Sequence, residues 1–293
     1  MSDVIEAVHA RKWKFRFPKA LRSPLGIIGV SIVGLWIVIA IFAPLIAPYD
    51  PLVQSFPRLQ APDSTNLLGT DAVGRDVFSR VLYGARTSMV LAFLVVACSM
   101  TIGTVLGAVA GYFGKVVDEV IMRIADLVFA FPTIILAMVI AAALGPSLTN
   151  AFIALLFVSW PSYARVARSL VIVARQNDYV VAGRLLGSSS LTSLRRDVLP
   201  NVISPIFVLA TLNVGAAILD LAGLSFLGLG AIPPTPDWGL MISEGVRQFS
   251  SWWIALYPGL AILTVVVAFN LMGDSLRDSL DPTTTKVVKE RGI

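Results

Sequence analysis

Charge is scarce in this chain. Of its 293 residues, 14% are Asp, Glu, Lys or Arg, where a soluble domain carries about 25%. So little charge leaves too little polar surface to cover a globule in water, and the bilayer is the expected solvent. Histidine and cysteine are rarer still, at one each. The lone Cys98 sits inside an apolar run and excludes an internal disulfide. The lone His9 lies in the N-terminal tail, outside every apolar run, which excludes a serine–histidine–acid protease site within the membrane. No cluster of His, Cys and carboxylates offers a metal site, and no G-x-x-x-x-G-K-[ST] run offers a phosphate loop. The sequence therefore points to no catalytic residue, no metal and no cofactor held by this chain itself.

What is there is length of apolar chain. Apolar residues make up 56%, and mean hydropathy is +0.81. A spanning helix needs about 20 mostly apolar residues to cross about 30 Å of hydrocarbon. Six runs meet this: 25–47, 88–113, 117–144, 148–174, 206–229 and 253–273. Little more than Gly114 and Lys115 separates the second from the third, and Gly145, Pro146 and Ser147 separate the third from the fourth. Tight antiparallel hairpins are expected there. The runs are continuous and do not alternate, which favours helices over a membrane barrel. The expected fold is all-α, a polytopic membrane protein with six transmembrane helices.

Lys and Arg set the orientation. With the N-terminus in the cytoplasm, the inner segments hold 6, 2, 6 and 4 of the 23 Lys and Arg residues, and the outer segments 4 and 1. Both termini are therefore expected inside, and the net charge of +5 reports topology and not nucleic-acid binding. The first run carries Trp36 and helix-tolerant glycines and lacks a small-x-small cleavage site, so it reads as a retained helix and not a secretory signal. Four stretches result: a basic cytoplasmic tail, 1–24; the first helix with an external segment, 25–87; a five-helix core, 88–274; and a short charged cytoplasmic tail, 275–293.

In the external segment, Pro48, Pro51, Pro57 and Pro62 forbid a long helix in the first half. Thr70 or Asp71 can cap a helix that continues through Asp76 and Arg80, an i,i+4 acid-to-base pair. Val77, Phe78, Val81, Leu82 and Tyr83 would form its apolar side. The expectation is an amphipathic helix at the outer surface, either a structural collar or a contact for an external solute-delivery protein.

Charges inside spans are costly, at roughly 2.5–3.5 kcal/mol each at a helix centre on insertion scales. Asp126 stands three residues after Arg123, a spacing that permits a local pair. Asp220 sits mid-run with no basic residue near it in sequence. It is either a lining residue of a translocation pathway or a hydrogen-bonded structural acid. Arg165 and Arg168 end the fourth run at the cytoplasmic interface, and Pro132, Pro161 and Pro205 are candidates for kinks.

Residues 178–205 form a polar island between the fourth and fifth runs, too short for a domain and long for a connector. Arg184, Arg195 and Arg196 place it in the cytoplasm. Asp178 can cap a short helix through Val180, Ala182 and Arg184, and Gly187 is suited to a left-handed C-cap after Leu185 and Leu186. A second short helix is expected from about Leu191 to Leu199, with Pro200 marking its boundary. Small Ala182 and Gly183 leave a shallow face that another protein's backbone can approach, and two stiff short helices can transmit a push.

The island resembles the cytoplasmic coupling loop of ABC importer permeases, whose pattern is E-A-A, three residues, G, nine residues, I, one residue, L-P. Val181-Ala182-Gly183 stands at E-A-A, Gly187 at the glycine and Leu199-Pro200 at L-P. Val181 takes the place of the acid, Gly183 of the second alanine and Asp197 of the isoleucine. Gly69-Thr70-Asp71, followed by Gly74-Arg75-Asp76-Val77-Phe78-Ser79-Arg80, is similar to the segment before the core in C-type permeases of the dipeptide/oligopeptide/nickel family. Leu224-Ser225-Phe226-Leu227-Gly228-Leu229-Gly230 with Pro233-Pro234-Thr235-Pro236-Asp237-Trp238-Gly239 resembles the external loop of that type. Asn270-Leu271-Met272-Gly273-Asp274, Leu276-Arg277-Asp278 and Leu280-Asp281-Pro282 resemble its C-terminal end.

The resemblance implies a type I ABC importer permease-like core in a bacterial or archaeal plasma (inner) membrane, the transmembrane channel subunit of an ATP-driven importer of di- and oligopeptides. Its implied partners are a homologous second permease subunit, two cytoplasmic ATPase subunits that hold ATP and magnesium, an external substrate-binding protein and membrane lipids, with no nucleic acid. Carried onto this sequence, the ATPase-coupling residues are Tyr179, Val181, Ala182, Gly183, Gly187, Leu199 and Pro200. The expected binding-protein contacts are Asp71, Arg75, Asp76, Pro234 and Trp238, and Asp220 is the candidate for the translocation pathway. The same machinery importing nickel or another small solute is the alternative within the family. A stand-alone secondary transporter is the alternative outside it, and would take up solute by gradient with no ATPase.

Overall fold

The computed structural model describes residues 23–280. The basic tail with His9, and the C-terminal residues from Asp281 on, lie outside the described residues. The described chain is all-helical: α1 (Pro24–Ile46), α2 (Val77–Phe113), α3 (Lys115–Phe129), α4 (Thr133–Leu144), α5 (Leu148–Ala174), α6 (Asp178–Leu185), α7 (Ser190–Ser193), α8 (Leu199–Phe226), α9 (Trp238–Val246) and α10 (Trp253–Leu280). Pairing of extended chain among the described residues is limited to one isolated bridge, between Thr70 and Asp76.

The α1 helix starts where Ser23 accepts the Gly26 N–H at 3.0 Å and Pro24 fills a position that has no use for an N–H. It lies back to back with α10. A Cβ added at Gly29 would stand 2.8 Å from the Ala268 carbonyl oxygen. The hydroxyls of Ser23 and Ser275 meet at 3.1 Å, and the Trp36 indole donates to Thr264 Oγ1 at 3.1 Å. The outward face of α1 is Leu, Ile and Val, as a lipid-facing helix requires.

The α2 helix begins eleven residues earlier than the apolar run suggests, and no separate surface helix precedes it. Asp76 caps it, accepting from the Ser79 N–H at 2.7 Å and the Ser79 hydroxyl at 2.8 Å. The expected cap at Thr70 or Asp71 and the expected Asp76–Arg80 pair are both replaced, because Asp76 is spent on the cap. Val77, Val81 and Leu82 are buried and do not form a surface-lying face. Further along, Gly103, Gly107 and Gly111 form a stripe against α5. Added Cβ atoms would run into the carbonyls of Trp160, Ala164 and Arg168 in turn. Small residues four apart let two backbones touch, which is how helices associate where lipid removes the hydrophobic drive. Ala151, Ala154, Ala164 and Ala167 answer from α5, and the core between α2, α5, α8 and α10 is correspondingly rich in alanine.

The third apolar run is not one helix. It breaks between α3 and α4 by 88°. Pro132 follows Phe131 there, and its ring disfavours helix in the residue before it. The α5 helix, by contrast, continues through Pro161, and α8 through Pro205. Pro200 is no boundary either. Helix runs from Ser190 to Phe226, with a π turn over Leu194–Val198 just before the proline. Among the described residues, four helices are long and apolar enough to cross a membrane: α1, α2, the α7–α8 run and α10. The bent α3–α4 pair passes as a fifth when taken together.

Candidate functional site

Three regions hold the residues singled out above. The first is the projection between α5 and α8. Asn177 takes the N-cap position of α6 without a side-chain hydrogen bond and Asp178 is the first helical residue, so the helix starts one residue earlier than the expected cap at Asp178 allows. Gly187 has φ +94, and the turn closes with its N–H on the Arg184 carbonyl at 3.0 Å and the Ser188 N–H on the Gly183 carbonyl at 3.1 Å. This is the paired-bond ending that favours glycine. Val180 is fully buried and roots α6 to the bundle. The Tyr179 hydroxyl donates to the Asp197 carbonyl at 3.3 Å and accepts from Asn201 Nδ2 at 2.9 Å, tying α6 to the root of α8. Leu185 and Leu186 then point away, 84% and 90% exposed, with Val181 and Ala182 also exposed. Gly183, Leu199 and Pro200 are half-buried.

Arg175 joins this projection to α2. Its Nη1 donates to the Gly111 and Tyr112 carbonyls at 2.9 and 3.0 Å, occupying acceptors that the helix end leaves free. Two ion pairs hold α3 to α5. Arg168 grips Asp118 with two nitrogens, and Arg165 meets Asp126 at 2.5 Å while lying 4.1 Å over the Phe129 ring. The local Arg123–Asp126 pair is thus overturned, because Asp126 faces α5.

The second region is a cavity of about 140 Å³ between α2, α4, α5 and α8. Asp220 lines it, together with Ser99, Ser159, Ser162, Tyr163 and Asn213. Thr133, beside the break, and Ala216 form its exposed rim. The Ser99 hydroxyl is buried without a hydrogen bond. The Tyr163 hydroxyl faces Asn213, but no hydrogen bond of normal geometry closes there. The five polar neighbours of Asp220 were not singled out in the sequence. Their signal is hydroxyl and amide side chains at intervals in otherwise apolar runs.

The third region is the outer segment. Asp71, Arg75, Asp76 and Trp238, expected as contacts for a partner, are all buried, and of that group only Pro234 is exposed. They are tied inward. Arg75 Nε meets Asp71 at 2.5 Å, Arg75 Nη2 meets Glu244 on α9 at 3.1 Å, and Arg80 lies 3.6 Å from Asp71 and 3.7 Å from Glu244. Arg80 Nη1 also donates to the Pro51 and Pro234 carbonyls at 3.3 and 3.2 Å. Two acids facing two arginines is a balanced set, which a buried position requires. The Trp238 indole donates to the Val81 carbonyl at 2.9 Å and stacks edge-on against Trp36 at 5.2 Å. Trp253 donates to the Thr70 carbonyl at 3.1 Å. Asp237 caps α9 through the Leu240 N–H at 3.0 Å and accepts from the Ser88 hydroxyl at 3.0 Å. Burial pushes its carboxyl above the ordinary range, and those hydrogen bonds oppose the rise. Glu244, which completes the charge set, gave no sequence signal beyond its being an acid in an apolar stretch.

Residues 103–286 match the family model of the binding-protein-dependent transport system inner membrane component, and residues 17–62 match the N-terminal TM domain of oligopeptide transport permease C. The chain is 48% identical over 270 residues to the dipeptide transport system permease protein DppC of Escherichia coli, covering 89% of this chain and 90% of that one. It is 44% identical over 274 residues to the protein of the same name from Alkalihalophilus pseudofirmus, covering 92% and 90%. It is 40% identical over 273 residues to the glutathione transport system permease protein GsiD of Pectobacterium atrosepticum, covering 92% and 91%. This chain belongs to the inner-membrane components of binding-protein-dependent transport systems, and is a multi-pass protein of the plasma membrane.

Proposed function

We propose that this chain is the non-catalytic channel subunit of an ATP-driven importer of di- and oligopeptides. In this reading it pairs with a homologous second permease. An external binding protein delivers peptide, two cytoplasmic ATPase subunits bind ATP and magnesium, and membrane lipids surround the bundle. Six spans cross the membrane with both ends inside, the bent α3–α4 pair and α5 among them. The α6 helix is the coupling helix. Closing of the ATPases on ATP pushes Tyr179, Val181, Ala182, Gly183 and Gly187, while Leu199 and Pro200 lead the motion into α8. The two sites then communicate through elements with two arrangements, as allosteric coupling requires. Outside, exposed Pro234 is the contact for the binding protein that best fits its exposure.

The observation that carries the reading is the α6 projection. It is rooted by Val180, closed by Gly187 at positive φ, and tipped by two leucines that water would not select. The names of the relatives supply peptide as the substrate class. The test is reconstitution with the partner subunits and the binding protein. ATP-dependent uptake of a dipeptide is expected, together with co-purification of the ATPase. Gly187→Arg and deletion of residues 182–187 should abolish both. Uptake driven by an ion gradient through this chain alone would overturn the proposal.

A further inference from the structure

The cavity around Asp220 has a lining that a packing void does not need. Empty cavities in proteins are apolar, and polar ones hold something. We propose that this cavity is an ammonium subsite that takes the free amino terminus of a peptide in transit. The word peptide rests on the function proposed above, whereas the word ammonium rests on the cavity alone.

Asp220 has no ion pair and no hydrogen bond among the described residues. No Lys or Arg lines the cavity, and the arginines of the adjoining α5 are engaged elsewhere: Arg165 with Asp126, Arg168 with Asp118, and Arg175 with the carbonyls at the end of α2. A carboxylate at this depth is expensive unless a cation meets it. The groups beside it are two hydroxyls with 1% residue exposure and no partner, Ser99 and Tyr163, and the half-buried Ser159, Ser162 and Asn213. Hydroxyl and amide groups can each turn an oxygen toward a donor, an ionised carboxylate only accepts, and an ammonium group is a donor on every hydrogen and an acceptor on none. With Asp220 as the charged group among neighbours that can all present acceptors, the lining suits a primary ammonium, and Asp220 repels a carboxylate. At about 140 Å³ the space suits the amino end of a peptide and not the whole of it. Its exposed rim, at Thr133 and Ala216, lies next to the α3–α4 break, so a change in that bend would change access.

The test uses the full assembly with its partner permease and ATPases. Asp220 is labelled with dicyclohexylcarbodiimide, and the adduct is read by mass spectrometry. Near-saturating alanyl-alanine or methylammonium should slow labelling by about tenfold, and N-acetyl-alanyl-alanine should not. Failure of Asp220 to react, absence of protection by either amine, or equal protection by the acetylated peptide overturns the proposal. In reconstituted uptake, Asp220→Asn should lower transport of sub-saturating alanyl-alanine by roughly tenfold or more, with partial recovery in Asp220→Glu. Unchanged uptake in Asp220→Asn also overturns it. If methylammonium protects and the wild-type assembly, supplied with its binding protein, imports no dipeptide, the ammonium site stands and the peptide reading falls.

Discussion

Gly107 on α2 and Ala164 on α5 meet backbone to backbone. A Cβ at Gly107 would lie 2.8 Å from both the carbonyl carbon and the Cα of Ala164. Neither atom can rotate away, so a methyl group there must push two spans apart. Gly107→Ala should lower stability by about 1–3 kcal/mol, as overpacking does. Gly34→Ala is the control. Nothing lies within 4 Å of a Cβ at that position, and alanine is the better helix former by about 1 kcal/mol, so this variant should be neutral or more stable. Thermal unfolding of the detergent-solubilised variants decides both.

The outer charge set gives a second expectation. Removing Glu244 leaves buried Arg75 and Arg80 to share Asp71. A fully buried pair broken this way costs about 3–5 kcal/mol. Glu244 retains 24% side-chain exposure, so Glu244→Ala should cost less, on the order of 2 kcal/mol. Faster protease cleavage within residues 48–70, with a lowered melting temperature, is the expected result.

The two pairs between α3 and α5 should differ. Arg165 and Asp126 are about half exposed, at 48% and 54%, and a double-mutant cycle should return about 0.2–1 kcal/mol. Asp118 is 19% exposed and is gripped at both oxygens by Arg168. Its coupling should be larger, about 1.5–3 kcal/mol. Equal couplings in the two cycles would contradict the geometry.

Asp237 sets a pH dependence with a definite sign. Its carboxyl is raised above the ordinary 3.8 by burial, so the folded protein holds the proton more tightly than the unfolded chain. That stability is fully present below 3.8 and is lost as pH rises through the folded value. Asp237→Asn keeps an oxygen to cap α9 and cannot titrate. The melting temperature of the wild type minus that of Asp237→Asn should therefore fall as pH is raised from below 4. A difference that rises with pH would reverse the assignment.

Apolar runs and turn residues placed the helices well. Gly114 and the Gly145–Ser147 turn stand where the hairpins needed them, because a positive φ or a stop is a local demand that local residues must meet. Charge partners were not legible in the same way. Asp76 and Asp126 each have a basic residue one turn away, yet Asp76 caps a helix and Asp126 binds Arg165, 39 residues on. Sequence reveals that a charge in a span needs a partner, while tertiary packing decides which one. Burial hid in the same manner. Asp71, Arg75, Asp76 and Trp238 read as outer contacts for a partner, yet Arg75 turns inward to Glu244, 169 residues away, Asp71 to Arg75 and Arg80, Asp76 to the start of α2, and Trp238 to the Val81 carbonyl. The break at Pro132 was legible as a kink, but its 88° size was not, nor were the two ion pairs that hold α3 to α5. The Gly103–Gly107–Gly111 spacing was present in the sequence as a small-residue stripe, and it marks the contact on which the bundle closes.

The outer loop is riveted to α2, α9 and α10 by two tryptophan indoles and four interlocked charges. At the level of the cavity rim, by contrast, the chain between Phe129 and Thr133 is an elbow with no helix to stiffen it. Under the coupling proposed above, a push on α6 would meet a bundle whose unstiffened joint lies beside the cavity, while the segment ahead of α2 would travel with α2, α9 and α10 as one plate.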